Sequence, residues 1–329
     1  MVIPNFKPFV GQHCETTTVG SLLYQLNIYL SEPMLFGIGE GLGYIIWSMK
    51  TMDFPFIGGR VKPDVLTQNL CRNLNLDLEV KETTSLKKAW ENIEKPLSQG
   101  QAVGLKLDCY HLEYFNTKIH FAGHYAAMYG YDNTYAYLID TDQQGGQVKT
   151  SLENLALARN EKGQMSSRNM SITIRQKEEL PDLDKVIKKA IFNNAAEYLN
   201  PPIKNLTYKG IKKTATVIRK WYKTSKDIKG EFQTAATLME RAGTGGALFR
   251  NLYRDFLGES AAILGVKEIK NAYEDYVQIA SQWTDISELF HELGETGDEK
   301  KLDQAAAIFL DLSNREKLTM EKLIAACSC

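Results

Sequence analysis

Two neighbouring β-strands joined by a turn are predicted in the stretch HYAAMYGYDNTYAYLID, residues 124–140. Both halves are short and rich in aromatic and apolar residues, and Asp132-Asn133 supplies the turn. His124 opens the first strand, and Asp140 ends the second. Because adjacent strands can bring two such side chains together, we expect Asp140 to hold one ring nitrogen of His124 and leave the other nitrogen as a base.

A nucleophile for this base is predicted at Cys14, which follows the polar run Gly11-Gln12-His13. It opens a helical stripe formed by Val19, Leu22, Leu23, Leu26 and Leu30. A helix N-terminus and a nearby imidazolium both stabilise a thiolate. The alternative is that Cys14 is a small buried apolar residue. The Cys14 amide is the natural oxyanion donor, Gln12 is a weaker candidate, and His13 is a secondary residue that tunes the local field.

The rest of the chain is predicted to divide into two domains. Further strands are expected at residues 102–108 and 170–175, and helices at residues 14–30, near Pro63-Asp64 and at residues 85–98. Together the strands suggest one antiparallel sheet. From about residue 182 onward the pattern is that of amphipathic helices, broken at Pro201-Pro202, Gly230, residues 243–246, Gly265 and residues 294–297. We therefore predict an α+β domain over residues 1–178 and an all-helical domain over residues 179–329.

Composition excludes several broad classes of function. The formal net charge is −1, from 39 basic and 40 acidic residues, so no overall field favours nucleic acid or an anionic membrane. No stretch resembles a signal peptide or a bilayer span. The cysteines match neither a disulfide framework nor a zinc spacing, which predicts a reducing, cytoplasmic compartment; they are Cys14, Cys71, Cys109, Cys327 and Cys329. The last two are assigned no role and are expected in a frayed tail. Because a thiol and an imidazole suffice for the expected chemistry, no metal and no cofactor are expected.

Other conspicuous residues receive structural interpretations. The glycines of residues 37–43 surround an acid, Glu40, which would repel phosphate, so a tight loop is predicted there. Residues 243–246 are interpreted as a helix stop. Arg241 and Arg250 flank that stop and are candidate ligands for an anionic group. The remaining histidines, which are His111, His120 and His291, are interpreted as structural.

Several of these segments together resemble the butirosin biosynthesis protein H family. The resemblance is carried by HCETT at residues 13–17, LSEPMLFGIGEGLGY at residues 30–44, LDCY at residues 107–110, GHY at residues 123–125, GYD at residues 130–132, and Asp140. In the helical half, GTGGALFR at residues 243–250, with Tyr253, Phe256 and Leu257, resembles the C-terminal domain that commonly accompanies this N-terminal module. Both halves of the chain therefore indicate one family.

The resemblance implies a papain-like cysteine-peptidase/acyltransferase fold in which Cys14, His124 and Asp140 are catalytic. It also implies an acyltransferase that moves an acyl group from an acyl-carrier-protein thioester to an amine-bearing small molecule. The resembling segments make four further residues candidates for oxyanion or substrate contacts, namely Ser31, Glu32, Asp108 and Tyr110.

Two other functions remain open from the sequence. A cysteine peptidase or amidase would use the same triad with water as the acceptor. A catalytically inert binding module would keep the papain-like fold but would have no activated thiol. The amphipathic helix predicted over residues 267–293 could pack within its own domain or against a second copy, so a homodimer is a further hypothesis.

Overall fold

The structure is a computed structural model that describes residues 1–50, 52–116, 118–163 and 165–328. The chain divides into two compact units. The first unit comprises Met1–Leu35 and Pro63–Pro181, and the second comprises Phe36–Lys62 and the chain from Asp182 onward. The two-domain division predicted at residues 178/179 assigned residues 36–62 to the first domain, whereas they pack with the helical unit.

Helices and strands are interspersed along the chain up to residue 176, and helices follow from residue 183 onward. The α-helices are α1 Cys14–Tyr24, α2 Glu32–Ile38, α3 Val65–Asn73, α4 Leu86–Ser98, α5 Leu152–Asn160, α6 Leu183–Leu199, α7 Thr207–Thr224, α8 Ile228–Arg241, α9 Arg250–Leu264, α10 Lys267–Thr296 and α11 Glu299–Cys327. The β-strands are β1 Leu42–Trp47, β2 Phe56–Arg60, β3 Leu76–Lys81, β4 Val103–Leu107, β5 His124–Tyr131, β6 Tyr135–Ile139, β7 Gln147–Ser151 and β8 Ser171–Gln176. Short 3-10 turns lie at Cys109–His111, Asp142–Gln144 and Ala247–Phe249.

The first unit is built on a six-stranded antiparallel sheet with the strand order β3-β8-β4-β5-β6-β7. Strands β4, β5, β6 and β8 confirm the antiparallel sheet that the sequence predicts. The prediction lacked the two edge strands. β3 reads LDLEVK and carries the strict apolar–charged alternation of a half-buried strand, whereas β7 reads QVKTS and is too polar to stand out.

Helix α1 lies against the face of this sheet, in contact with β4, β5, β6 and β8. It ends at Tyr24 rather than near residue 30, because the chain turns at Asn27, whose φ of 59° is left-handed. Glu15 is fully buried and accepts hydrogen bonds from the backbone nitrogen and the hydroxyl of Thr67, at 3.1 and 2.8 Å, which joins α1 to the start of α3. The first turn of α1 is therefore held by both the sheet and α3.

The second unit combines the β1–β2 hairpin with helices α6 to α11. The predicted helix breaks at Gly265 and at residues 294–297 are confirmed, since α9 ends at Leu264 and α10 at Thr296. Gly230 lies in the first turn of α8, so the break before that helix falls at residues 225–227 instead. Gly37 is explained by close packing, since a Cβ there would lie 2.0 Å from the ring of Phe256. Helix α10 packs against α8, α9 and α11, so its apolar face is used within the unit.

Two other sequence expectations are corrected in the helical unit. Arg250 is fully buried and forms an ion pair with Glu316 at 2.9 Å, so it cannot serve as a ligand for an external anion. Cys327 is the buried last residue of α11 rather than part of a frayed tail, and Cys329 lies outside the described residues. Among the helices that the structure describes, none combines the length and the apolar character needed to cross a bilayer.

Candidate active site

The β5–β6 pair brings His124 and Asp140 together. Ala127 pairs with Ile139 across the two strands, and continuing this register places Asp140 beside Ala126, two residues from His124 on the same face. The Nε2 atom of His124 lies 2.7 Å from an Asp140 carboxylate oxygen, and both side chains are buried. The Asp140 hydrogen bond orients the imidazole and leaves Nδ1 as the nitrogen that can exchange a proton with a nucleophile.

Cys14 completes the predicted trio at the first position of α1, where it is half-buried. It lies close enough to His124 for the two charges to interact. Burial alone would lower the pKa of His124, but opposing influences, of which the charge of the Asp140 carboxylate is the largest, raise that pKa well above the ordinary 6.5. The sequence-predicted residues Cys14, His124 and Asp140 therefore lie near one another at one end of strands β5 and β6, with the imidazole favoured in its charged form.

A second thiol, Cys109, borders the same centre, and sequence reasoning assigned it no role. It follows β4, whose last residue Leu107 pairs with His124, and its charge would interact with His124 and Cys14. Burial raises the pKa of the Cys109 thiol to about 11, so this thiol stays protonated near neutral pH. Cys14 is thus the accessible thiol of the pair, and Asp140 is the principal anion that raises the pKa of His124.

Tyr114 and Phe115 also contact the His124–Asp140 pair and were missed from the sequence. The Tyr114 hydroxyl donates a hydrogen bond of 2.8 Å to the same Asp140 oxygen that faces His124. The ring of Phe115 stands edge-on to that of His124, with centroids 5.1 Å apart. Both residues lie in the irregular segment between β4 and β5, where no periodic pattern could have identified them.

The loop before Cys14 is organised by Glu32, a residue predicted to contact substrate. Its carboxylate accepts hydrogen bonds from the backbone nitrogens of Gln12 and His13 at 2.8–2.9 Å, and from the Thr16 hydroxyl at 2.8 Å. Glu32 therefore uses its oxygens within the protein. The Gln12 side chain is exposed, the His13 side chain is buried, and Ser31 caps α2 by accepting from the Met34 nitrogen at 3.2 Å.

The candidate contacts Asp108 and Tyr110 belong to a separate group. The buried Asp108 carboxylate accepts from the backbone nitrogens of Tyr110 and Phe121, at 2.8 and 3.2 Å, and lies 3.0 Å from Nδ1 of His120. The exposed Tyr110 ring stacks on the His120 ring at 4.1 Å. Asp108 thus orders the turn at the end of β4.

Replacing Tyr114 by phenylalanine is expected to lower kcat by about tenfold with little change in KM, because it removes a donor that orients Asp140 but leaves the substrate surface intact. Steady-state kinetics would measure this split. Tyr131→Phe is the matched control, since it also removes a tyrosine–carboxylate bond, to Glu94 at 3.1 Å, on the exposed surface. Equal kcat values in both variants would contradict a positioning role for Tyr114.

The raised pKa of His124 also predicts a pH dependence of stability. Because the folded-state pKa lies above the ordinary 6.5, protonated His124 stabilises the fold fully below about pH 6.5, and this contribution is lost as pH rises through the folded-state pKa. We expect the difference in unfolding free energy between the wild type and His124→Gln to shrink as pH rises, measured by urea unfolding. The exposed variant His291→Gln should follow the wild type, and a pH-independent difference for His124→Gln would contradict the assignment.

Comparisons with known proteins identify both halves of the chain. Residues 13–141 match the family described as butirosin biosynthesis protein H, N-terminal, and residues 153–323 match a domain of unknown function, DUF4872. A solved structure described as a putative C39-like peptidase from Bacillus anthracis is 18% identical, with a TM-score of 0.37 over 54% of this chain and 98% of that chain. No curated protein matches.

The family membership predicted from the sequence is confirmed, since the two matched regions follow each other along nearly the whole chain. The predicted papain-like fold class is also confirmed: Cys14 begins a helix that packs against an antiparallel sheet, His124 begins strand β5 of that sheet, and Asp140 follows strand β6. The described chain from residue 183 onward is helical as predicted, and the β1–β2 hairpin, from earlier in the chain, joins it in the second unit. The protein therefore belongs to the butirosin biosynthesis protein H-like family, which joins this papain-like N-terminal domain to a DUF4872 domain.

Proposed function

We propose that this protein is a cysteine-dependent acyltransferase that forms an acyl-Cys14 intermediate. The observation that carries the proposal is the buried His124–Asp140 hydrogen bond of 2.7 Å, placed beside a half-buried cysteine at a helix N-terminus. A thiol, a base and a group that orients the base are the parts that nucleophilic acyl transfer needs. The family resemblance supports transfer to an amine as the reaction.

The proposed reaction has two balanced steps. In the first step the Cys14 thiolate attacks the carbonyl carbon of a thioester, the bond to the donor sulfur breaks, and protonated His124 gives its proton to the departing thiolate. In the second step an amine attacks acyl-Cys14, passes a proton to His124, and releases Cys14 as the thiolate. The net change converts a thioester and an amine into an amide and a thiol, without an oxidant or a reductant.

The start of α1 supplies the charge stabilisation that both steps require. The backbone nitrogen of Cys14 is among the first-turn amides that lack a partner within the helix, and it is the proposed oxyanion donor. Glu32 binds the amides of the two preceding residues, which holds the approach to Cys14 in one conformation. Gln12 is exposed beside Cys14 in the chain and is the proposed side-chain contact to substrate.

The proposed donor is an acyl-carrier protein, and the proposed acceptor is an amine-bearing small molecule. A synthetic acyl-thioester of N-acetylcysteamine can replace the carrier, and intact-mass spectrometry followed by peptide mapping would locate the acyl group. We expect one acyl group on Cys14 in the wild type and none in Cys14→Ala. An added amine should then accelerate loss of the acyl group and yield an amide.

Matched cysteine variants make this test specific. Cys71 lies in the same unit, and burial raises the pKa of its thiol to about 12, so Cys71→Ala should acylate like the wild type. Cys109→Ala should retain the acyl group on Cys14, because the protonated Cys109 thiol is not the nucleophile. Formation of free acid alone, whatever amine is present, would identify a hydrolase. Absence of any Cys14-linked acyl group would leave the inert binding module as the better description.

A further inference from the structure

Three side chains with metal-binding atoms converge at the end of β4, and none of them belongs to the candidate catalytic trio. His111 ends the 3-10 turn Cys109–His111, His120 lies in the loop before β5, and Glu161 follows the last residue of α5. One ligand atom from each residue can be chosen so that all three lie within 4.8 Å of one another. The sequence interpreted both histidines as structural because the three residues are far apart along the chain.

The spacing is close to that of a coordination site. His111 Nε2 already lies 2.9 Å from a Glu161 carboxylate oxygen. In a tetrahedral zinc site with bonds of about 2.1 Å, neighbouring ligand atoms are about 3.4 Å apart. The widest separation would therefore have to close by roughly 1.4 Å at most. The His111, Glu161 and His120 side chains are 17%, 29% and 57% exposed, which allows them room to make this adjustment.

Neighbouring residues hold His120 and Glu161 by hydrogen bonds and ring stacking, as is common for the ligands of a metal ion. Asp108, only 1% exposed, holds His120 Nδ1 at 3.0 Å, which turns the other ring nitrogen, Nε2, away from that carboxylate. Metal-binding histidines commonly have such a carboxylate partner on the second nitrogen. Stacking on Tyr110 fixes the plane of the His120 ring. The Lys162 backbone nitrogen donates to the second Glu161 oxygen at 3.1 Å, which leaves the first oxygen facing His111.

We propose that His111, His120 and Glu161 bind one divalent transition-metal ion of the zinc class, with water at the fourth position and Asp108 as the residue that positions His120. Two imidazoles and one carboxylate favour Zn²⁺ over Mg²⁺ or Ca²⁺, which prefer sets of oxygen ligands. Two histidine–carboxylate pairs that served only as separate structural ion pairs would have no reason to lie next to each other. Here the pairs His111–Glu161 and His120–Asp108 lie side by side, and one ligand atom each from His111, His120 and Glu161 lies within 4.8 Å of the other two.

Such an ion would tie the C-terminal end of α5 to both ends of the 111–120 segment. Tyr114 and Phe115, which contact Asp140 and His124, lie within that segment. The ion would therefore hold the segment that supports the His124–Asp140 pair, without taking part in acyl transfer. The site stands apart from the proposed function, and either proposal can fail without the other.

The test is zinc titration of the chelator-treated full chain by isothermal calorimetry, with the bound metal counted by elemental analysis. We expect about one equivalent of zinc in the wild type, and affinity lowered at least tenfold in His120→Ala, in Glu161→Gln and, through loss of orientation, in Asp108→Asn. Thermal unfolding of each metal-free variant checks that it is folded. The exposed variant His291→Ala is the matched control and should bind zinc like the wild type.

The main competing site is the candidate catalytic trio itself, which also offers a thiol, an imidazole and a carboxylate. Cys14→Ala distinguishes the two sites, because it should keep the full zinc affinity if the ion lies at His111, His120 and Glu161. Cobalt substitution adds a spectroscopic criterion: a nitrogen–oxygen site shows visible d–d bands without a thiolate charge-transfer band. Unchanged zinc binding in His120→Ala, or loss of zinc in Cys14→Ala, would overturn the proposal.

Discussion

Replacing Asp140 by asparagine is expected to reduce the rate of acylation by about 10²- to 10⁴-fold. The two Asp140 oxygens have different partners: one faces His124 and Tyr114, and the other accepts from the Thr141 nitrogen at 2.7 Å. Asparagine has a single side-chain oxygen, which can accept from only one of these two sets of donors. Its NH₂ group must therefore face either the Thr141 backbone nitrogen or the His124 ring. The second arrangement forces the tautomer that places the proton on Nδ1 and removes the base.

The pH profile separates this electrostatic effect from a general loss of structure. Because the Asp140 carboxylate raises the pKa of His124, its neutralisation reduces the fraction of imidazolium near neutral pH. Alkylation of Cys14 by iodoacetamide should therefore slow in Asp140→Asn at neutral pH. Asp142→Asn makes the same change in charge at an exposed position nearby and should leave both rates unchanged. An acylation rate in Asp140→Asn equal to that of the wild type would exclude Asp140 from the triad.

Replacing Glu316 by alanine is expected to destabilise the helical unit by about 3–5 kcal/mol. Glu316 binds the Arg250 guanidinium through two hydrogen bonds, at 3.0 and 2.9 Å, and both side chains are fully buried. It also accepts from Trp283 Nε1 at 2.7 Å and from the Tyr198 hydroxyl. One carboxylate therefore links α6, α9, α10 and α11, and its removal leaves a buried cation without its anion.

The free energy of unfolding, measured with urea and followed by far-ultraviolet circular dichroism, would test this expectation. Asp303→Ala is the matched control, because it breaks an exposed ion pair to Arg219 of 2.7 Å and should cost less than about 1 kcal/mol. The double variant Arg250→Met with Glu316→Leu should recover much of the loss, since it removes both charges from the interior. A loss from Glu316→Ala as small as that from Asp303→Ala would show that the buried network contributes little.

Local patterns in the sequence, together with the family resemblance, selected the candidate catalytic trio. Cys14 was predicted at the start of a helix by the apolar stripe that follows it, and the strand pair by two apolar runs and a turn. These signals lie within a few residues of one another, so each element can be predicted without knowledge of the fold. Once the strands pair in antiparallel order, their register brings His124 to Asp140.

The roles of isolated polar residues depended instead on contacts between distant parts of the chain. Arg250 was interpreted as a surface ligand because the sequence beside a glycine turn does not show Glu316, 66 residues away, as its buried partner. Glu32 and Tyr114 show the same limitation, since their hydrogen-bond partners come from other elements.

The sequence by itself thus determined the secondary structure around the site and the candidates for nucleophile, base and acid, because hydrophobic periodicity and turn residues act over short distances. Only the tertiary structure decided which polar groups come into contact: the Glu32 contacts before Cys14, the Tyr114 contact to Asp140, and the meeting of His111, His120 and Glu161. The physical reason is that a polar side chain must find its hydrogen-bond partner wherever packing places one. The residues next to a polar side chain in the sequence do not indicate which distant residue is its partner.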